Sequence, residues 1–409
     1  MADRSAMKII SRMSLRLFMA ALPALVLVAL ADHRAALFGA AAGAQARAGH
    51  RAPVFEVDPF WPRPLPNHWV LGSTIGLAVD ARDHVFILHR PGSVDDNFKA
   101  AAMKPPIGTC CTPAPDVLEF DPEGNVVNSW GGPGQGYDWP TNNHGLSIDD
   151  KGNVWIGGND DKDSHVLKFT RDGKFLLQIG KPGQKKGSND KQNLWRPAKI
   201  FVEPAANEAY VADGYGNRRV VVFDADTGQF KRHWGAYGAL PDDAPLPEYS
   251  PAAPPSRQFN TVHCAMVSKD GFVYVCDRVN DRIQVFRKDG TYVKEAFYDQ
   301  ATLRSGSVWD LTFSRDPQER YLYVADGVNE KIRIVDRNTL EVLTSFGDGG
   351  RQPGQFYGVH NLAIDSRGNL YTTETYNGAR LQRFVFKGER PVTKSEQGVP
   401  WPRTHRLGS

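Results

Sequence analysis

Three histidines occupy the same step of a repeated strand. His144, His263 and His360 each lie five residues before the Asp or Ser that closes a short apolar run, in "HGLSID", "HCAMVS" and "HNLAID". The chain has only 11 histidines among 409 residues, so chance would place well under one across six such positions. Three neutral imidazoles brought to one point offer three nitrogen lone pairs and leave a fourth position open, the form of a catalytic zinc centre. Imidazole also suits copper, nickel and iron, so zinc is a preference and not a deduction. The alternative is a polar plug of hydrogen-bonded histidines.

What must position them is a repeat. An apolar strand ending in Asp, Glu or Ser leads through a Gly-containing turn to an aromatic-rich strand, then to a strand such as "RIQVF" and a fourth beyond another turn. Copies begin at "IGLAVD", "HGLSID", "AKIFVE", "HCAMVS", "WDLTFS" and "HNLAID", with Ile75, His144, Ala198, His263, Trp309 and His360 at the aligned position. A four-stranded antiparallel unit cannot bury both faces alone, and packing six radially gives an all-β, six-bladed β-propeller. Hairpin turns inside each copy argue against a parallel solenoid. The sixth copy lacks a fourth strand, and "VFEVD" (54–58) is unassigned, so an N-terminal strand is expected to close the ring. The propeller then spans 54–390, followed by a polar tail, 391–409. Alternate blades stand about a third of a turn apart, and first strands line the channel, so the three imidazoles are expected to meet at one channel mouth.

The second strand of each copy returns to that mouth. There the reading places Arg90, Tyr215 and Arg278, in "LHRPG", "DGYGN" and "CDRVN". An arginine grips a carboxylate with two parallel N–H donors. A tyrosine hydroxyl beside cations can act as a general base. Two insertions, 91–116 and 235–258, reach the same face and read as lids, substrate walls or partner-binding loops. If the "SKDGF" turn centres on Asp270, Cys264 and Cys276 are directly opposite and can bridge. Cys110 and Cys111 are adjacent, and can form a vicinal disulfide, stay as thiols or bind a ligand.

Composition narrows the setting. A net charge of +3 with scattered basic residues argues against a nucleic-acid surface. The first 46 residues combine a basic start, the apolar "MAALPALVLVALA" and a small-residue stretch, which reads as a signal peptide cut after Ala46 or after Ala31. The apolar run is too short to span a bilayer, although an uncleaved anchor is the alternative. No cysteine follows it closely, which argues against a lipid anchor. The expected location is periplasmic or secreted, with no stable membrane insertion after cleavage and with disulfides permitted.

Taken together, "FILHR", "NHGLSID", "VADGYGNRRVVVF", "DRVNDRIQVF" and "GVHNLAID" resemble the peptidyl-α-hydroxyglycine α-amidating lyase family, a propeller of NHL-like repeats. The resemblance implies a zinc ion on His144, His263 and His360, substrate-binding Arg90 and Arg278, and catalytic Tyr215. It implies cleavage of the C–N bond of a carbinolamide to an amide and glyoxylate, with a small-molecule or peptide α-hydroxy amide as substrate. The family has Asp after the third histidine, binding a structural calcium with carbonyls of the first two blades. Here those positions are Asn361, Leu77 and Leu146, and an amide oxygen ligates calcium without the charge. The family's methionine before the third histidine is Gly358, and the cysteine after its tyrosine is Gly216. Three rival readings remain at this level: a non-catalytic binding module of the cell envelope, a metal-dependent hydrolase using the same histidines, and a gluconolactonase-type propeller. The last needs calcium held by Glu, Asn and Asp, which the inner ring does not offer.

Overall fold

The computed structural model describes residues 49–402, so the expected signal peptide (1–46) and the last seven residues of the tail lie outside the described residues. Residues 52–390 with 396–402 form one unit, and 49–51 with 391–395 belong to a second. In that second unit Val392 N–H donates to the His50 carbonyl at 2.9 Å.

The larger unit is a six-bladed β-propeller of four-stranded antiparallel sheets. The innermost strands are Thr74–Val79, Asn143–Ile148, Lys199–Glu203, Val262–Val267, Asp310–Phe313 and Val359–Ile364, in blades one to six. The residue closing the first strand makes the hairpin turn. Asp149 Oδ1 accepts the N–H groups of Lys151 (3.0 Å) and Asn153 (2.8 Å), and Asp365 does the same for Arg367 (3.0 Å) and Asn369 (2.8 Å). Gly152 and Gly368 follow at φ +78° and +83°, the left-handed conformation these turns require.

Apolar faces meet between neighbouring blades, and the core lies there. Val220, Val222 and Trp234 of blade three pack on Phe259, Val262, Val275 and Phe286 of blade four. Each such side chain contributes about 1.5–3 kcal/mol on burial.

The expected closure holds. Arg51–Asp58 is the outer strand of the sheet formed by Val359–Ile364, Leu370–Glu374 and Arg380–Pro391. Phe55 anchors it, its ring 5.5 Å from both Tyr323 and Phe346 and 6.0 Å from Phe386. The strand begins at Arg51, three residues before the "VFEVD" run, and Ala52 and Pro53 are buried within it. The tail is less free than its polarity suggests. Gln397 N–H donates to Ser345 O (2.8 Å), Gly347 N–H to Gly398 O (3.0 Å) and Val57 N–H to Pro400 O (2.7 Å). Outer strands expose unpaired backbone groups, and the returning chain satisfies some of them. Among the described residues no helix is long and apolar enough to cross a membrane.

Candidate metal centre

Each histidine sits where its strand stumbles. In blade four the pairing steps from Val262 opposite Asp277 to Cys264 opposite Cys276, leaving His263 out of register. In blade six it steps from Val359 opposite Glu374 to Asn361 opposite Thr373, leaving His360 out. Blade two slips at Gly145, directly after His144. Such bulges re-aim a side chain that regular alternation would send into a sheet face. Gly145 has φ +67°, and a Cβ there would fall 2.1 Å from the Ala198 carbonyl oxygen.

That carbonyl is the next part of the site. His144 Nδ1 lies 2.8 Å from Ala198 O, and His263 Nδ1 pairs with Trp309 O. Ala198 and Trp309 hold the aligned position in blades three and five, so histidine-bearing blades alternate with acceptor-bearing ones. His360 breaks the rule and pairs with Asn361 Oδ1 at 2.7 Å. A carbonyl accepts only, which assigns the proton to Nδ1 and leaves the Nε2 lone pair free.

The three buried rings lie edge to face at centroid separations of 4.9, 5.0 and 5.2 Å. Their candidate ligand nitrogens all fall within 4.8 Å of one another. Burial holds His144 and His263 well below the ordinary histidine range and His360 down to about 3, with the Arg278 charge adding to the effect at all three and Arg90 at His144 and His360. Neutral imidazoles with converging lone pairs fit a transition metal.

Tyr215 leans over this cluster. Its hydroxyl oxygen is 3.1 Å from His144 Nε2 and 3.0 Å from His263 Nε2, and accepts from Arg278 Nη1 at 3.1 Å. The Arg278 guanidinium lies between two rings, 5.2 Å from Tyr215 and 4.9 Å from Trp309. Arg90 donates through Nε to Asn143 O (3.0 Å) and through Nη2 to Asn159 Oδ1 (2.9 Å). Tyr215 and Arg278 ride on loops pinned by buried ion pairs. Asp213 accepts from Arg219 Nε at 2.8 Å, and Asp277 from Arg282 Nε at 2.7 Å, all four side chains fully buried. Related pairs, Asp326–Arg333 and Glu374–Arg380, hold the same loops in blades five and six.

Below the histidines, Lys199 Nζ meets both Asp310 oxygens at 2.7 Å. Asp310 Oδ2 also accepts Leu362 N–H (3.0 Å) and Asn361 Nδ2 (3.2 Å), tying the inner strands of blades three, five and six together. The calcium set of Leu77, Leu146 and Asn361 does not fit its ion. Its one side-chain oxygen is engaged by His360, and a lysine ammonium already stands in the channel against the adjacent carboxylate. Calcium takes six to eight oxygens.

Both cysteine pairs are disulfides: Cys264–Cys276, directly opposite in the register, and Cys110–Cys111. Neither insertion contributes a hydrogen bond to the three histidines or Tyr215. Residues 246–258 instead wall a separate cavity of about 290 Å³ with Asn260, Asn280 and Phe297.

Sequence reasoning missed the acid–arginine pairs, whose signal is an Asp or Glu closing the second strand and an Arg five to seven positions on. It also missed Arg196, which donates through Nε to Asn159 O (2.7 Å) with its guanidinium 5.8 Å from the Tyr215 ring. Gly216, where the lyase family has cysteine, lies against Trp195; a Cβ would come within 2.4 Å of that ring.

Among known proteins, no family model matches the chain. It is 30% identical over 224 residues to the peptidylglycine alpha-amidating monooxygenase of Rattus norvegicus, covering 53% of this chain and 21% of that protein. Thus the match spans about a fifth of that relative's length. A probable peptidyl-alpha-hydroxyglycine alpha-amidating lyase of Caenorhabditis elegans is 24% identical over 315 residues, 74% of this chain and 80% of its own. NHL repeat-containing protein 3 of Mus musculus is 24% identical over 368 residues, covering 87% and 88%. These relatives agree with the resemblance drawn from the sequence.

Proposed function

We propose that the protein is a zinc-dependent lyase that cleaves the C–N bond of an α-hydroxyglycine-type carbinolamide, releasing an amide and glyoxylate. His144, His263 and His360 would hold the metal through Nε2. When bound, the ion supplies a Lewis acid that polarises the substrate hydroxyl. Arg90 and Arg278 bind the substrate carboxylate and fix which face of the carbinol carbon meets Tyr215. Tyr215 takes the hydroxyl proton, and the Arg278 N–H at 3.1 Å stabilises negative charge on its oxygen. The O–H electron pair becomes the second C–O bond of glyoxylate. The C–N pair leaves with nitrogen, which takes a proton to become the amide, so nothing is oxidised or reduced.

One observation carries this reading: a single phenol oxygen within hydrogen-bond reach of two converging imidazoles and a guanidinium. A binding module has no use for that arrangement. The two disulfides suit an oxidising compartment, periplasmic or extracellular.

The test is metal content of the purified protein by mass spectrometry, beside His263→Ala, followed by glyoxylate release from N-acyl-α-hydroxyglycines. The expected result is about one zinc per chain, lost in the variant, and glyoxylate formed only by the metal-loaded wild type. No transition metal after refolding with zinc would remove the electrophile and leave the binding module as the better account.

A further inference from the structure

His360 is oriented by a different kind of partner from the other two histidines. His144 and His263 turn their Nδ1 atoms to the backbone carbonyls of Ala198 and Trp309, which the sheet holds in place and which can only accept. His360 turns its Nδ1 to the side-chain amide of Asn361 at 2.7 Å. An amide has an acceptor end and a donor end, and half a turn about its last bond exchanges them with almost no change of shape. With the oxygen toward His360, the imidazole carries its proton on Nδ1 and the Nε2 lone pair is free for a metal. With the NH2 group toward it, Nδ1 must accept, the proton moves to Nε2, and that nitrogen cannot be a ligand.

Asp310 chooses between the two. Its Oδ2 lies 3.2 Å from Asn361 Nδ2, and a carboxylate oxygen accepts only, so the rotated amide would set oxygen against oxygen. The Thr373 hydroxyl, directed at Asn361 Oδ1 from 3.4 Å, favours the same orientation. Asp310 is itself held on every side. Leu362 N–H donates to its Oδ2 at 3.0 Å, and Lys199 Nζ lies 2.7 Å from both oxygens. Asp310 is 0% exposed and Lys199 5%, so without the ammonium the carboxylate would be a lone buried charge. Lys199 follows Ala198 and Asp310 follows Trp309, as Asn361 follows His360, so all three stand one step below the ring of aligned positions.

We propose that Lys199 and Asp310 are positioning residues of the metal centre: through Asn361 they fix the tautomer of His360 and keep its Nε2 available as the third ligand. The inference rests on the three histidines being the metal site of the lyase reading. It also accounts for the misfit of the calcium set, because the lysine ammonium brings positive charge to this level of the channel and the amide needs no divalent ion to hold it. Losing an outer partner of this kind lowers metal affinity by about 10–100-fold.

The experiment uses the full mature chain with isotope-labelled histidine. Long-range nitrogen–proton NMR correlations of the metal-free protein distinguish the two tautomers, and the His360 signal is the one lost in His360→Gln. Zinc affinity is measured by competition with a chelator. The first variant, Lys199→Met with Asp310→Asn, removes both charges together and strands neither. The second, Asp310→Asn with Asn361→Asp, exchanges carboxylate and amide, keeping one acid beside Lys199 and giving His360 an acceptor that no rotation can reverse. The expected wild type carries the His360 proton on Nδ1. The first variant should show His360 protonated on Nε2 and a zinc affinity about 10–100-fold weaker. The exchange should restore the tautomer and most of the affinity. A wild-type tautomer in the first variant overturns the proposal even if the exchange does not fold. A change of tautomer without a loss of affinity, or a loss that the folded exchange leaves in place, overturns it as well, since a tie that merely supports the fold would behave that way. Neither readout involves turnover. The expected pattern with no glyoxylate from any α-hydroxyglycine sustains the proposal and sinks the lyase reading, whereas glyoxylate release with an unchanged tautomer in the first variant does the reverse.

Discussion

Consider Asp277→Asn, which changes a charge and almost no volume beneath the loop that carries Arg278. Asp277 is fully buried and accepts Asn260 N–H (2.7 Å), Asn280 Nδ2 (2.8 Å) and Arg282 Nε (2.7 Å). Arg282 is equally buried. Burial pushes the Asp277 carboxyl up and the Arg282 charge opposes it, so the pair stands or falls together. Breaking a buried pair by removing one partner costs about 3–5 kcal/mol, because the survivor is left charged in a poor solvent. Here Glu295 Oε2, 3.3 Å from Arg282 Nη1, retains part of the compensation. That sets the expectation near the lower end, about 3 kcal/mol. Adding Arg282→Met removes the stranded charge, so the double variant should lose at least about 2 kcal/mol less than the sum of the two single losses. Equilibrium urea unfolding at pH 7 of the four proteins completes the cycle. A single-variant loss under about 1 kcal/mol, or strict additivity, would refute the claim that an ion pair holds this loop.

Other outcomes follow from the same geometry. Tyr215→Phe should retain the metal and the fold but lower kcat by about 10²–10⁴-fold, the usual worth of a general base; an unchanged kcat with normal zinc content would remove Tyr215 from the chemistry. Asp281 is buried, accepts Ser307 N–H at 2.7 Å, and has its carboxyl pushed up to about 7 by that burial. A raised acid contributes stability that is complete below its unfolded value near 3.8 and is lost as pH rises through about 7. Asp281→Asn, tolerable at φ +54°, should flatten that decline, worth at most about 4 kcal/mol between pH 4 and 8; parallel pH profiles of urea midpoints for variant and wild type would contradict it. Replacing Cys264 and Cys276 by serine opens a bridge across 12 residues and should cost about 2–3 kcal/mol without loss of zinc. A variant that binds no metal would instead make the bridge part of the His263 support.

The six repeats were legible because each of them solves the same local problem. An apolar strand, an Asp, Glu or Ser that closes it and one left-handed turn residue (Gly152, Gly271 and Gly368 in blades two, four and six, Asp83, Asn207 and Glu319 in the others) are all short-range features, readable without knowing the neighbours. The register of Cys264 with Cys276 follows for the same reason: a tight hairpin turn sets which residues face each other. The closing strand at Phe55 was legible only by subtraction, as an unpaired strand matched to a blade lacking one. Its start was misplaced because Ala52 and Pro53, buried in the strand, are poor strand formers and give no strand signal of their own.

The sequence by itself determined the blades and the common position of His144, His263 and His360, since periodicity puts equivalent residues at equivalent radii. Only the tertiary structure decided how those side chains turn inward. Bulges at the histidines and carbonyls from the next blade do that, and both arise from packing between strands far apart in the chain. The same holds for the Lys199–Asp310 tie, whose partners are 111 residues apart. Contacts of that kind depend on the angle at which one blade meets another, which no local pattern encodes.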